Sequence, residues 1–190
     1  MKYQEELWKG RLGDNYTDDN DRERYVQYKI GIFRNILDKK LNINSVLEYG
    51  ANIGLNIPAV KQCYPKAKYY GLEINKKAYD KLKRSCTAWN QSIFDKLDLK
   101  VDLVFTYGLL IHISPDDLNE AYKVLYEHSN KYILLVEHIS KHPFTVVYRE
   151  RENAFFKGDF INDIQKLYNL KMIKSGKIRG DLIWALLSKS

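Results

Sequence analysis

A chain of 190 residues with 45% hydrophobic and 13% aromatic content can bury a substantial core, reads as one domain over 1–190, and is too apolar for disorder. Its two cysteines, Cys63 and Cys86, form no CxxC pair and no cysteine–histidine cluster, which argues against a disulfide framework and a metal site and for a reducing, cytoplasmic setting. The formal charge of +7 suits an anionic partner, but the basic residues are scattered along helical stretches such as 76–84, so nucleic acid is disfavoured and a small anionic substrate preferred.

The first fifteen residues are charged and lack the apolar segment of a leader, and the longest apolar run, 103–113, contains His112 and is too short to span a membrane. Residues 1–40 read as an N-terminal helical lid and helix, with Val26, Ile30, Phe33, Ile36 and Leu37 at helical spacing over 22–40. Beyond them, strands are expected near 45–50, 68–73, 85–90, 101–106, 131–137, 170–176 and 181–188, and helices near 53–63, 75–84, 115–128 and 158–168. Pro115 ahead of Asp116 and Asp117 marks a helix start. This alternation implies an α/β, Rossmann-like, mainly parallel sheet with helices on both faces and a ligand at the carboxyl ends of the strands. The last two strands, joined through Gly176 to Gly180, read as a hairpin, so the last of seven strands is antiparallel and 41–190 is the ligand-binding core.

The run Val46-Leu47-Glu48-Tyr49-Gly50-Ala51-Asn52-Ile53-Gly54-Leu55-Asn56 is a buried strand feeding a glycine-bearing turn and a helix. Gly50 and Gly54 supply backbone freedom and the helix start supplies unpaired N–H groups, a combination that holds nucleotide-like ligands. A dinucleotide turn reads G-x-G-x-x-G and seats a pyrophosphate. Here the pattern is Glu48-x-Gly50-x-Asn52-x-Gly54, and a carboxylate repels pyrophosphate but attracts a sulfonium or ammonium, directly or through water. The string resembles the E/D-x-G-x-G-x-G motif of class I S-adenosylmethionine-dependent methyltransferases, with Asn52 at the middle glycine; by itself it also fits a plain strand-to-helix joint. Asn56 closes the turn. Glu73, followed by Ile74, ends the second strand, where a carboxylate accepts hydrogen bonds from ribose hydroxyls or simply complements the next helix. Gln91 and Ser92 fall where that class contacts adenine.

Chemistry is expected on the loops after the fourth and fifth strands. Tyr107 and Gly108 end the fourth strand in a segment that resembles the methyltransferase one where a strand end meets the methyl group, and His112 is either a general base for the acceptor or a packed histidine bonded to a carbonyl. Glu137 and His138 end the fifth strand, placed to touch the acceptor or to cap the strand end.

The resemblance extends along nearly the whole chain. The lead-in Leu7-Trp8-Lys9-Gly10-Arg11-Leu12-Gly13-Asp14-Asn15-Tyr16-Thr17, the donor motif, "YGLLIHISPDDL", and the block from Val147 to Phe160 are similar to the pseudaminic acid biosynthesis-associated methylase family. The resemblance implies S-adenosylmethionine as donor, S-adenosylhomocysteine as product, no metal, and in-line methyl transfer to a sugar or nucleotide-linked sugar of bacterial surface-glycan synthesis. Arg149, Arg151 and Lys157 would then pair with a carboxylate or phosphate, Tyr148 and Trp8 would stack on a sugar ring, and Tyr16 would sit in a lid over the donor. Two other readings stand beside it: an RNA methyltransferase, suited to the positive charge, and a non-catalytic donor-binding partner protein. The oligomeric state is left open.

Overall fold

The structure is a computed structural model that describes residues 2–20, 23–142, 144–148 and 151–189, with the side chains of 23–24, 146–148 and 151–154 excepted. The chain divides into two compact units, Met1–Leu97 and Asp98–Ser190.

The first unit opens with α1 (Tyr3–Lys9), α2 (Arg11–Asn20) and α3 (Glu23–Ile36), followed by β1 (Ser45–Tyr49), α4 (Ile57–Cys63), β2 (Lys68–Leu72), α5 (Lys76–Leu82) and β3 (Thr87–Trp89). The apolar stripe of α3 buries Ile30, Phe33 and Ile36. The helix stops short of residue 40 because the Asp38 carboxylate accepts the Lys40 amide at 2.8 Å, a local turn that competes with helical bonding. Strands β1, β2 and β3 are parallel neighbours. Val46 and Leu47 are fully buried, as a near-continuous apolar run in a parallel sheet requires.

Helix α4 begins at Ile57 rather than near 53. Gly50, Asn52 and Gly54 all have positive φ, of 70°, 47° and 86°, so the chain coils too tightly after β1 to enter a helix at once. Pro58 in the first turn then sets the helical start.

The second unit contains β4 (Val101–Tyr107), a 3₁₀ turn at Leu110–His112, another at Pro115–Asp117, α6 (Leu118–His128), β5 (Ser129–His138), β6 (Phe144–Tyr148), β7 (Arg151–Lys157), α7 (Phe160–Tyr168), β8 (Lys171–Arg179) and β9 (Leu182–Ser188). Strands β4 and β5 are parallel, β9 is antiparallel to β5, and β8 is antiparallel to β9. The closing hairpin turns at Gly180 and Asp181, while Gly176, expected in the turn, lies inside β8 opposite Trp184. The β6–β7 hairpin, in which Phe144 pairs with Lys157 and Tyr148 with Arg151, was not expected.

Across the seven-stranded sheet the strand order is β3-β2-β1-β4-β5-β9-β8. Among the described residues no helix is long and apolar enough to cross a membrane, and no cluster of three or more His, Cys, Asp or Glu is placed to hold a metal.

Candidate functional site

The first unit carries its candidate residues on the turn after β1. Asn52 replaces the middle glycine of the motif at a left-handed position, φ 47°, which asparagine tolerates better than other side-chain-bearing residues. At Gly54 a Cβ would sit 2.8 Å from the Ile57 side chain, so the turn closes on that residue only with glycine.

Two buried carboxylates brace this turn. Glu48, 1% exposed, accepts from Asn56 Nδ2 at 2.5 Å and from the Tyr69 hydroxyl, and burial pushes its carboxyl up to about 7. Both of its oxygens are engaged inside the unit, by Asn56 and Tyr69. Glu73 accepts the Asn52 amide and the Asn75 amide, each at 2.7 Å, and its own N–H donates to the Trp89 carbonyl at 3.1 Å. Burial raises its carboxyl while the two amides hold it down. Asn90 donates to the carbonyls of Glu73 and Ile74 at 2.8 and 3.0 Å, which fixes the whole β2–α5 turn.

Gln91 and Ser92 follow β3. Ser92 is 4% exposed; its hydroxyl accepts the Phe94 amide at 3.1 Å and its amide donates to Asp95 at 2.8 Å. Three carboxamide oxygens of this unit, Asn52 Oδ1, Asn56 Oδ1 and Gln91 Oε1, are buried with no hydrogen-bond partner among the described residues. Each such acceptor costs about 1–3 kcal/mol until a donor reaches it.

The lead-in packs on the β2–α5 turn. Trp8 and Tyr16 meet edge to face with centroids 5.4 Å apart, and the Trp8 carbonyl accepts from Asn75 Nδ2 at 3.1 Å. Trp8, expected at the acceptor, therefore sits with Tyr16 and the β2–α5 turn.

The second unit places the other candidates. Past Tyr107 the chain turns at Gly108, φ 66°, whose amide donates to the Val136 carbonyl at 2.8 Å. Glu137 is fully buried and accepts the Leu109 and Leu110 amides at 3.0 and 3.2 Å. Burial raises its carboxyl to about 7, with the Thr106 hydroxyl and those amides opposing. Glu137 thus braces the 3₁₀ turn that carries His112, the structural role that stood beside contact with the acceptor. His112 is half-buried, its ring 4.5 Å from that of Phe155 on β7.

His138 at the end of β5 has Nδ1 2.7 Å from Asp181 Oδ1, in the β8–β9 turn. Asp181 also pairs with Lys157, and these two partners hold its carboxyl down to about 2, Lys157 most strongly. Lys157, expected to meet a substrate anion, is thus engaged by Asp181 in this structure. Asp181 was missed from sequence. Arg149 lies outside the described residues, as do the side chains of Tyr148 and Arg151, whose backbones pair across the β6–β7 hairpin.

The parallel strands, the antiparallel β9 inserted between β5 and β8, and the turn after β1 together define the fold of class I S-adenosylmethionine-dependent methyltransferases. No family model and no curated protein sequence matches the chain. Among solved structures, it is similar to magnesium protoporphyrin IX methyltransferase (ChlM) from Synechocystis PCC 6803 with bound SAH, at TM-score 0.72 and 15% identity over 98% of this chain and 97% of that one. It is similar to the 1,6-didemethyltoxoflavin-N1-methyltransferase of Burkholderia thailandensis, with bound 1,6-didemethyltoxoflavin and S-adenosylhomocysteine, at TM-score 0.73 and 11% identity over 97% and 88%. The mitomycin 7-O-methyltransferase MmcR matches at TM-score 0.77 and 9% identity over 100% of this chain and 61% of that one.

Proposed function

We propose that this protein is an enzyme that transfers a methyl group from S-adenosylmethionine to a small-molecule acceptor, releasing S-adenosylhomocysteine, within a single catalytic domain over 1–190. The observation that carries the reading is the left-handed turn at Gly50, Asn52 and Gly54, with the buried, partnerless oxygens of Asn52, Asn56 and Gln91 on this turn and past β3. A ligand with an ammonium, ribose hydroxyls and an adenine amino group supplies the donors those oxygens lack. Glu73, with a second lone pair on each oxygen, is the ribose acceptor, and Asn56 held by Glu48 faces the amino-acid end. When bound, the donor supplies an electrophilic methyl carbon on a sulfonium.

The chain's own contribution is orientation, exclusion of water and proton removal. Holding two reactants in place is worth roughly 7–11 kcal/mol, and a positioned base adds about 10²–10⁴-fold. His138 is the better base of the two histidines: ionised Asp181 takes its Nδ1 proton in a hydrogen bond, leaving the Nε2 lone pair for the acceptor. His112, packed on Phe155, shapes the neighbouring wall.

The acceptor we propose is a sugar or nucleotide-linked sugar of bacterial surface-glycan synthesis, in the cytoplasm, with Lys157, Arg149 and Arg151 as its anion contacts and Tyr148 as its stacking face. Support comes from the resemblance of the lead-in and of the segment from Val147 to Phe160 to the pseudaminic acid-associated methylases. Incubation with methyl-labelled S-adenosylmethionine and a panel of nucleotide-linked sugars tests it: label enters an anionic sugar, and label entering none of the panel overturns the sugar assignment.

One observation favours a second reading. The edge strand β8 exposes Lys171, Lys174, Lys177 and Arg179, a row that suits RNA. Retention of tRNA with a steep salt dependence would support an RNA acceptor, and no binding at moderate salt removes it.

A further inference from the structure

Asn75 is 2% exposed and uses its amide, its carboxamide oxygen and its carboxamide nitrogen at once. Its N–H donates to Glu73 Oε1 at 2.7 Å, and its Oδ1 accepts the Ala78 amide at 2.9 Å as the N-cap of α5. Its Nδ2 donates to the Trp8 carbonyl at 3.1 Å and to Asp14 Oδ1 at 2.9 Å. One side chain therefore fastens the end of α1 and the first turn of α2 to the turn that presents Glu73. The fastening depends on Gly13, where a Cβ would stand 2.0 Å from the Trp8 carbonyl oxygen and 2.7 Å from Asn75 Nδ2. An exposed pair, Lys77 with Asp18 at 2.7 Å, adds little.

A cap needs only the Asn75 oxygen. Serine, threonine or aspartate would cap α5 as well, so helix capping does not explain the two bonds from Nδ2. Those bonds reach residues 61 and 67 positions away, and they reach the lead-in and nothing else. A hydrogen bond to a carboxylate contributes more than one to a neutral oxygen.

We propose that Asn75 is a positioning residue of the donor site, which ties the lead-in helices α1 and α2 to the Glu73 turn so that donor binding and docking of the lead-in strengthen each other. The proposal rests on the donor reading of that turn. Coupling of this kind is reciprocal: a donor held by Glu73 fixes the turn that Asn75 grips, and a docked lead-in keeps the turn in its binding form. Trp8 and Tyr16 then stand over the donor only while Asn75 holds them.

The test uses the full chain, S-adenosylhomocysteine as probe, and two variants. Asn75→Asp keeps the cap and loses the Nδ2 donors; Asp14→Ala leaves Asn75 itself intact and removes its acceptor on α2. In wild type, S-adenosylhomocysteine slows amide hydrogen exchange across 3–20. In both variants that protection is lost and affinity falls about tenfold, while the melting temperature of the unliganded protein moves by no more than a few degrees. Asp14→Asn, which still accepts from Nδ2, recovers most of the affinity. Wild-type affinity in both variants overturns the proposal, as does wild-type binding without a change in exchange at 3–20. Absence of binding in wild type overturns the donor reading itself, and the two failures are thereby distinguished.

Discussion

Glu73 and Asp181 are carboxylates that each hold two neighbours, yet Glu73 is 8% exposed and holds two backbone amides, while the Asp181 side chain is 38% exposed and holds two side chains. Amides fixed in a turn cannot swing away, which gives Glu73 the fixed surroundings that the proposed donor role requires. Lysine and histidine side chains can, and water screens them, which gives Asp181 the exchangeable partners that the proposed acceptor role requires.

The comparison breaks most visibly if Glu73 is truncated. Glu73→Ala removes the proposed ribose contacts and the brace on Asn52 together, and lowers S-adenosylhomocysteine affinity by about a hundredfold, at roughly 1–3 kcal/mol for each group left unpaired. A competition titration reads it. Asp181→Ala, on the other side, lowers turnover on any acceptor the enzyme methylates by about tenfold and leaves S-adenosylhomocysteine affinity unchanged; a matching loss of donor affinity would contradict the separation of the two sides.

The buried carboxylates also make stability depend on pH. Glu48 and Glu137, raised to about 7 by burial, hold their protons more tightly in the fold than in the unfolded chain, where the ordinary value is 4.5. Their contribution is therefore fully present below about 4.5 and is lost as pH rises through about 7, at most on the order of 3 kcal/mol for each. Asp181, held low, gives the opposite slope, but only below its ordinary value of 3.8. The melting temperature accordingly falls between pH 5 and pH 8, and Glu48→Gln flattens that fall in a scanning calorimeter.

The smallest effect belongs to Lys157→Gln. It removes one half-exposed ion pair, changes stability by less than about 1 kcal/mol, and raises the KM for an anionic acceptor several-fold without touching kcat.

The two sides also differ in how far they could be read from sequence. Glu48, Gly50, Asn52, Gly54 and Glu73 sit at strand ends, where a short local pattern specifies backbone and ligand chemistry together. Asn52, a departure in the motif, has a physical reason in its left-handed φ of 47°. His138, Lys157 and Asp181 are separated by 24 to 43 positions in their pairings, and nothing local marks the aspartate of a hairpin turn as the partner of a strand-end histidine. For Glu137, a carboxylate at a strand end has the same sequence signal whether it faces a ligand or braces a neighbouring turn. The grip of Asn75 on Trp8 and Asp14 depends on tertiary packing and has no local signal. The β6–β7 hairpin escaped because no glycine-asparagine or other turn pair stands between its strands in the sequence.

The central claim is that the turn after β1 holds S-adenosylmethionine. Calorimetric titration of S-adenosylhomocysteine into wild type and Gly50→Val tests it, since a β-branched residue at φ 70° distorts the turn. The account predicts saturable binding at one site per chain in wild type and none detectable in the variant. No binding in wild type, or equal binding in both, would contradict it.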